Sequence, residues 1–382
     1  MNDFLDEDLA VTDPDGGFGA VQGGTAFALA GYLLDRKAEK INAGGGSVDV
    51  HVHVHTDDEG PAPVLVNALD GVASTVKWDR YIGQEPLKQQ LQVHIASAKA
   101  RGKALDHILL ASGMPGIGKT TMARLIAKEM GVYIHMLVPP FHRKTLHEAA
   151  CLLSDGEILF IDEIHKLADH GPRAAEDLLH MLEERRIYTD SGIVELADIT
   201  IIGATTDPDK LPETILDRFP IKPFFQAYTL MDLTEIAVRF EVDMGLDEIP
   251  LDTAWAIAQA SRGIPRVVRE FVIALRDLRI AMNREATSKE LLAFKETDAN
   301  GMTRTHKLYL TTMYQNFRRV ANDGEIQYVA GEYAMLSVLR ETKPGLARIE
   351  RFLMELNLLE RTPSGRRLTD RGIAYAKRVA NG

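Results

Sequence analysis

The chain is poor in cysteine, in tryptophan and in long apolar runs, and each shortage excludes something. A single cysteine, Cys151, rules out an intramolecular disulfide and gives no sign of an oxidising compartment. The longest apolar run, Ala26 to Leu34, falls well short of the ~20 residues a bilayer span requires. The start is acidic (Asp3, Asp6, Glu7, Asp8), where a secretory leader needs basic residues, so a cytoplasmic protein with no membrane association is expected. With 45% hydrophobic and 26% charged residues, the composition excludes collagenous, coiled-coil and largely disordered chains. A length of 382 residues leaves room for two or three domains, each with a real core.

The charge is unevenly placed. Lys plus Arg is 44 and Asp plus Glu is 55, a net of −11. Residues 1–70 hold 13 acidic and 3 basic side chains, so nearly all the acidity belongs to an N-terminal arm. Residues 301–382 hold 14 basic and 8 acidic side chains. Phosphates respond to the local field, so the acidic total does not exclude nucleic acid as a partner of the tail.

Residues 1–24 lack helical periodicity and are expected to be mobile. Thr25 to Ile41 fits a helix, ended by Gly44-Gly45-Gly46. Ser47 to Thr56 alternates as a strand does, with Val48, Val50, Val52 and Val54 on one face and His51, His53 and His55 on the other. Three same-face histidines can bind a metal, but no Cys, Asp or fourth His is placed to close the site. An edge strand with a solvated polar face is the simpler reading. Pro61 and Pro63 mark a linker.

From about Val76 short apolar strands alternate with helices. Ile108-Leu109-Leu110 leads into a glycine loop and a helix from Lys119 to Met130. Further strands are expected at Val132–Leu137, Ile158–Ile161 and Ile199–Gly203, with helices near 143–154 and 172–185 between them. This pattern gives an α/β fold with a parallel sheet covered on both faces. Leu230 to Ala293 reads as helical only. From Thr305 the tail reads as helices, then a two-stranded element over Leu358–Thr369 with Pro363-Ser364-Gly365 at its turn, then a closing helix. No internal repeat is visible.

Gly113-Met114-Pro115-Gly116-Ile117-Gly118-Lys119-Thr120 satisfies G-x-x-x-x-G-K-[ST] and stands between an expected strand and an expected helix. Its glycines let backbone N–H groups converge on phosphate oxygens, and the helix adds its positive end. Lys119 would bridge the β- and γ-phosphates of ATP and Thr120 would ligate Mg²⁺, with Thr121 counted among the nucleotide-binding residues. Ile158-Leu159-Phe160-Ile161-Asp162-Glu163 is an apolar strand ending in two carboxylates. Asp162 would hold Mg²⁺ through its water shell and Glu163 would polarise the attacking water. Either motif alone has an innocent reading, as a glycine turn or an acidic strand end; together they define an ATPase.

Several strings then bring a family into view. From Trp78 onward the chain resembles the RuvB family of Holliday-junction branch-migration motors, which are AAA+ ATPases. The resemblance rests on Tyr81-Ile82-Gly83-Gln84-Glu85, the phosphate loop, Leu159 to His165, Ile202-Gly203-Ala204-Thr205-Thr206, Asp217-Arg218-Phe219, Ser261 to Arg266 and Leu359 to Arg366. The last two strings are the specific ones. The resemblance implies an AAA+ parallel-sheet domain over 76–228, a helical lid over 229–300 and a DNA-binding winged helix over 301–382, following the arm at 1–75. It implies that Tyr81 and Ile82 contact the adenine, that Thr206 is a first sensor of the γ-phosphate, and that Arg218 is an arginine finger reaching a neighbouring subunit's nucleotide. It likewise implies that Arg266 is a second sensor closing the lid. Read without the resemblance, the simpler readings are favoured: Tyr81 a core aromatic, Arg218 a surface charge at a helix end and Arg266 a helix-capping cation.

A finger in trans makes activity depend on oligomerisation, and the family implies a hexameric ring around duplex DNA, working in recombination and repair. Arg361, Arg366 and Arg367 fall on the wing, where guanidinium groups suit backbone phosphates; a solvated charged face is the alternative. Three departures stand out. Only Ile187 to Asp198 is available for the hairpin that docks RuvA in the family, with Asp190-Ser191-Gly192 as a tight turn, which argues against a RuvA-type partner. Residues 1–75 have no counterpart. Leu216 stands where the family has a second arginine beside the finger.

The expected function is an ATP-driven ring motor that migrates branched DNA. The alternatives are an AAA+ loader or remodeller of a DNA-bound protein that never translocates, and a nucleotide-gated DNA-binding scaffold. The intact set Lys119, Asp162, Glu163, Thr206, Arg218 and Arg266 argues against the scaffold. Cys151, in an apolar stretch, is expected to be buried. Tyr309, Tyr314 and Phe317 recur at helical spacing and are expected in a core.

Overall fold

In a computed structural model, residues 10–12, 18–20 and 78–381 are described, save 171, 190–191, 245–247, 321–323 and 325. The arm contributes two strands, β1 (Ala10–Thr12) and β2 (Phe18–Ala20), paired antiparallel with Ala10 opposite Ala20. This pairing departs from the irregular chain expected over 1–24. The helix expected at 25–41, the histidine strand and the proline linker lie outside the described residues.

Among the described residues the chain divides into two compact units: one takes the β1–β2 pair with residues 91–110 and 122–223, the other residues 78–90, 111–121 and 224–381.

The first unit holds a four-stranded sheet. Strands β3 (Ile108–Ala111), β4 (Ile134–Leu137), β5 (Ile158–Ile161) and β8 (Thr200–Thr205) lie in the order β3-β8-β5-β4. β5 pairs in parallel with β4, Ile158 opposite Ile134, and with β8, Ile158 opposite Thr200. Both central strands, β5 and β8, are buried along their whole length, which is why β5 reads as an unbroken apolar run and β8 carries only small or β-branched residues. A single parallel bridge, Ile108 to Ile221, adds the beginning of a fifth strand beside β3. Helices Arg143–Cys151 and Pro172–Glu183 follow β4 and β5. They are joined through the buried Asp177, which accepts from the Arg143 guanidinium and lies 2.8 Å from His147 Nε2. Cys151 ends its helix exposed, not buried: Leu146, Ala149 and Ala150 form the inward face and Cys151 falls off it. Partial burial and the Glu148 carboxylate raise its thiol pKa, so it is not activated. His107 accepts from the Ile201 N–H through Nδ1 at 2.9 Å, and burial pushes its pKa down to about 4.

An antiparallel hairpin, β6 (Arg186–Thr189) with β7 (Gly192–Glu195), precedes β8. Its strands are four residues each, as short as the sequence allowed.

The second unit opens with helices Leu230–Asp243, Leu251–Ala260, Pro265–Met282 and Ser288–Phe294. Two of them start on reciprocal caps, Thr229 with Asp232 and Thr287 with Glu290, which satisfy N–H groups a helix start leaves unpaired. A winged helix follows: helices Arg304–Asn316, Glu332–Leu339, Lys343–Glu355 and Asp370–Asn381 around an antiparallel sheet. That sheet has four strands, β11-β12-β10-β9, where two were expected. The extra hairpin is β9 (Arg318–Val320) with β10 (Ile326–Ala330), Arg319 opposite Gln327. β11 (Leu359–Thr362) and β12 (Gly365–Leu368) form the expected wing. Tyr309 is fully buried in this core with Met313, Leu346 and Leu353, and Tyr314 and Phe317 pack against it.

Among the described residues, no helix is long and apolar enough to cross a membrane, and no cluster of His, Cys, Asp and Glu could hold a metal ion by itself.

Candidate functional site

The phosphate loop belongs to the second unit. It follows β3 and ends in the helix Lys119–Met130, so Gly113 to Gly118 stand at a helix N-terminus, where unpaired N–H groups and the helix dipole favour an anion. Gly116 and Gly118 have φ of +81° and +107°, a backbone that side chains resist. Their neighbours also exclude a side chain. A Cβ on Gly116 would lie 2.8 Å from the Arg266 Cβ, and one on Gly118 would lie 2.7 Å from the Tyr81 hydroxyl. Ile117 and Lys119 are buried, and Lys119 Nζ lies 3.4 Å from the Met114 carbonyl across the loop. Pro115 is exposed, Thr120 half-buried and Thr121 exposed.

Two tyrosines stand behind the loop. The Tyr228 hydroxyl lies 3.3 Å from that of Tyr81 and 3.2 Å from the Ile117 carbonyl. Burial first, and then the Tyr228 phenol, hold the Tyr81 hydroxyl well above its ordinary pKa, so both act as neutral hydrogen-bonding groups. The Tyr81-Ile82 segment is fixed from two sides. Lys88 Nζ donates to the Tyr81 carbonyl at 2.8 Å, and the Gln84 amide exchanges two hydrogen bonds with the backbone of Gln226. Tyr81 is therefore buried, as the bland reading of a core aromatic held, yet it touches the loop; Ile82 beside it is half-buried. Tyr228 went unrecognised in the sequence, because nothing local marks a tyrosine whose partner is 147 positions away.

Arg266 also reaches the loop. Pro265 occupies the first turn of the helix Pro265–Met282, and the Arg266 N–H donates to the Gly116 carbonyl at 3.3 Å. The start of this lid helix is thus bonded to the loop between its two strained glycines.

In the first unit, Asp162 and Glu163 follow β5, and Thr206 follows β8. Glu163 sits at φ +50°, a left-handed conformation costly for a non-glycine residue, in a turn where its own N–H donates to Asp162 Oδ1 at 3.0 Å. Its carboxylate is held away from the turn: Thr206 donates to Glu163 Oε2 through Oγ1 at 2.9 Å. His165 joins the cluster, with Nδ1 2.9 Å from Thr205 Oγ1 and 3.4 Å from Glu163 Oε2. His165 lies in the string Leu159 to His165 shared with the family, and its spacing alone carries no sign of this contact. Arg218 follows the short helix Glu213–Leu216, is exposed, and pairs with Glu183 at 3.0 Å. Leu216 is half-buried.

The wing departs from expectation in one important respect. Arg366 is only 15% exposed and turns inward, with Nε 2.8 Å from Glu350 Oε1 and Nη2 2.8 Å from Glu332 Oε2. Burial works against its charge, but the hydrogen bonds to Glu350 and Glu332 outweigh that and raise its pKa. Glu350 is fully buried and Arg366 is its closest charged partner. Arg361 is 59% exposed with a looser 3.4 Å contact to Glu350, and Arg367 pairs with Glu360 at 2.5 Å.

A parallel sheet with its phosphate loop after the first strand, a carboxylate pair after β5, a helical lid and a winged helix make this an AAA+ P-loop ATPase fold. Residues 75–224 match the profile of the Holliday junction DNA helicase RuvB P-loop domain, and residues 299–377 that of the RuvB C-terminal winged helix domain. The Holliday junction branch migration complex subunit RuvB of Leuconostoc mesenteroides is 34% identical over 316 residues, 77% of this chain and 85% of the relative. That of Pediococcus pentosaceus is 34% identical over 313 residues, 78% of this chain and 88% of the relative. The solved structure of the Thermotoga maritima RuvB Holliday junction branch migration motor superposes with a TM-score of 0.66 at 28% identity, covering 79% of this chain and 97% of that one. The chain belongs to the RuvB family.

Proposed function

We propose that the protein is an ATP-hydrolysing ring motor that moves along duplex DNA and migrates four-way junctions. The observation that carries this reading is the bond between Arg266 and Gly116, which ties the start of the lid to the phosphate loop. Nucleotide that reshapes the loop would then move the lid. Lys119 and the loop N–H groups would take the phosphates of ATP. Thr120 and Asp162 are hard oxygen donors of the kind Mg²⁺ requires, and would hold it. Mg²⁺ would supply charge neutralisation at the transferring phosphate.

Glu163 is the candidate base and Thr206 its partner and sensor. Their hydrogen bond keeps the carboxylate occupied until γ-phosphate competes for Thr206. Arg218, exposed and paired only at the surface, is the candidate finger. An exposed pair of this kind is worth ~0–1 kcal/mol, a small barrier to reaching a neighbour's nucleotide. A finger in trans contributes about 10³–10⁵ in turnover in related systems, so the lone subunit would be nearly inert and a hexameric cytoplasmic ring is the working form.

A second reading, loading or remodelling of a DNA-bound protein, draws on the short hairpin. Its one strongly exposed apolar side chain is Ile193, which leaves little surface for a RuvA-type partner. ATPase rate against protein concentration, with and without four-way-junction DNA and with Glu163→Gln as blank, separates them. A rate per subunit that climbs with concentration and is stimulated by DNA supports the motor; a rate indifferent to DNA turns the reading to remodelling.

A further inference from the structure

The helix Lys343–Glu355 of the winged helix makes three unrelated contacts through three consecutive residues. Successive helical side chains point ~100° apart, so one turn can face three ways. Glu350 faces the wing and is held by Arg366, by Arg361 and by the Tyr309 hydroxyl at 3.2 Å. Phe352 faces the lid: the Arg262 guanidinium lies 5.0 Å from its ring centroid, and the His306 ring packs edge-on at 4.7 Å. Arg262 stands at φ +56° in the turn that leads to Arg266. Arg351, between them, donates from Nη1 to the Gly113 carbonyl at 2.9 Å, 238 positions away in the chain.

We infer that Arg351 is a positioning residue, by which the DNA-binding domain holds the first peptide of the phosphate loop and makes nucleotide affinity respond to DNA. The inference rests on the ATP-site reading above. Gly113 opens the loop, so a guanidinium fixed on its carbonyl limits how the following N–H groups can turn. Because Glu350 and Phe352 share the same helical turn, a shift of the wing arginines under DNA moves Arg351 and the Arg262 turn together. Lysine retains the charge and one donor at this position, but not the planar fork.

The test is binding of a fluorescent N-methylanthraniloyl ADP to the full chain, with and without duplex DNA. Arg351→Ala should weaken binding about three- to tenfold, the range for the net loss of one solvent-accessible hydrogen bond, and Arg351→Lys should recover part of it. Arg348→Ala, an exposed cation on the same helix, should bind as the native chain does. Duplex DNA should shift the native affinity and leave Arg351→Ala unmoved. Equal affinity of native chain and Arg351→Ala, equal DNA shifts in both, or no shift in the native chain would each overturn the coupling. Failure of the underlying site reading looks different: Lys119→Ala would then bind the nucleotide as well as the native chain. Since Arg351 is exposed, its loss leaves the core intact, which thermal melting by circular dichroism verifies.

Discussion

The phosphate loop and the wing both carry cations next to glycine turns, but they treat those cations differently. In the loop, Lys119 Nζ lies 3.4 Å from the Met114 carbonyl at the start of a helix, beside glycines at positive φ whose backbone leaves room for an anion. In the wing, Arg366 is met by two full carboxylates, Glu350 and Glu332, one of them completely buried. The first arrangement gathers backbone N–H groups at a helix start, where an anion is favoured. The second holds a charge inside the fold. A count of basic residues treats both regions alike, and only the partners tell them apart.

Truncating the two cations should therefore give opposite results. Lys119→Ala should abolish nucleotide binding and with it ATP turnover, as read by fluorescent-nucleotide titration and steady-state hydrolysis. Mixing it with Arg218→Ala should restore some activity, because one variant supplies a finger and the other an intact loop. A mixture that stays dead at every ratio would remove the trans assignment. Arg366→Ala should cost ~3–5 kcal/mol of stability, since Glu350 is left buried with only the loose Arg361 contact and the neutral Tyr309 hydroxyl, and turnover per folded subunit should stay near the native value. If Arg366→Ala unfolds normally and loses DNA binding alone, the wing is a phosphate site after all.

The next test compares the units through buried histidines. His107 in the first unit and His306 in the second both have folded pKa values of about 4, lowered chiefly by burial. Each accepts hydrogen bonds at Nδ1, from Ile201 and from Thr303, which requires a neutral ring. The unfolded chain takes up these protons at ~6.5, so the stabilisation is complete above that pH and is lost as pH falls towards 4. Between pH 7 and pH 5 each imidazole should cost ~2 kcal/mol in urea unfolding. His306→Gln should halve the combined loss and spare the part that belongs to His107.

These contrasts also mark what could be read from the sequence. The loop, the strand before Asp162 and the lid helices were legible because their chemistry is local: glycines beside a lysine, an apolar run ending in carboxylates, helical spacing between caps. The Tyr81–Tyr228 and Arg366–Glu350 pairs were not, because each joins elements whose meeting is decided by packing. Arg366 in particular carries the residue type of a phosphate contact, and only the burial of Glu350 reassigns it. The β9–β10 hairpin leaves a signal in the sequence, Asp323-Gly324 between runs that hold β-branched and aromatic residues. Cys151 was placed in a core by the apolarity of its neighbours, whereas the helix face is set by phase.

The smallest expected effect gives the finest comparison, because it lies within the wing. Arg361 and Arg366 share Glu350, but Arg361 is mostly exposed and its contact is 3.4 Å, while Arg366 is enclosed and forked between two carboxylates. Arg361→Ala removes a weak, solvent-screened pair, so its stability cost should be ~0–1 kcal/mol. If its guanidinium instead meets a DNA phosphate, the slope of log affinity against log salt should flatten by about 1, equally for any duplex sequence. Fluorescence anisotropy at several salt concentrations measures that slope directly. An unchanged slope with unchanged stability would make Arg361 a solvated charge and move the search for the DNA surface to the exposed Arg318 and Arg319 of β9. A flattened slope would show that two arginines five residues apart serve different ends because only one of them faces a buried carboxylate.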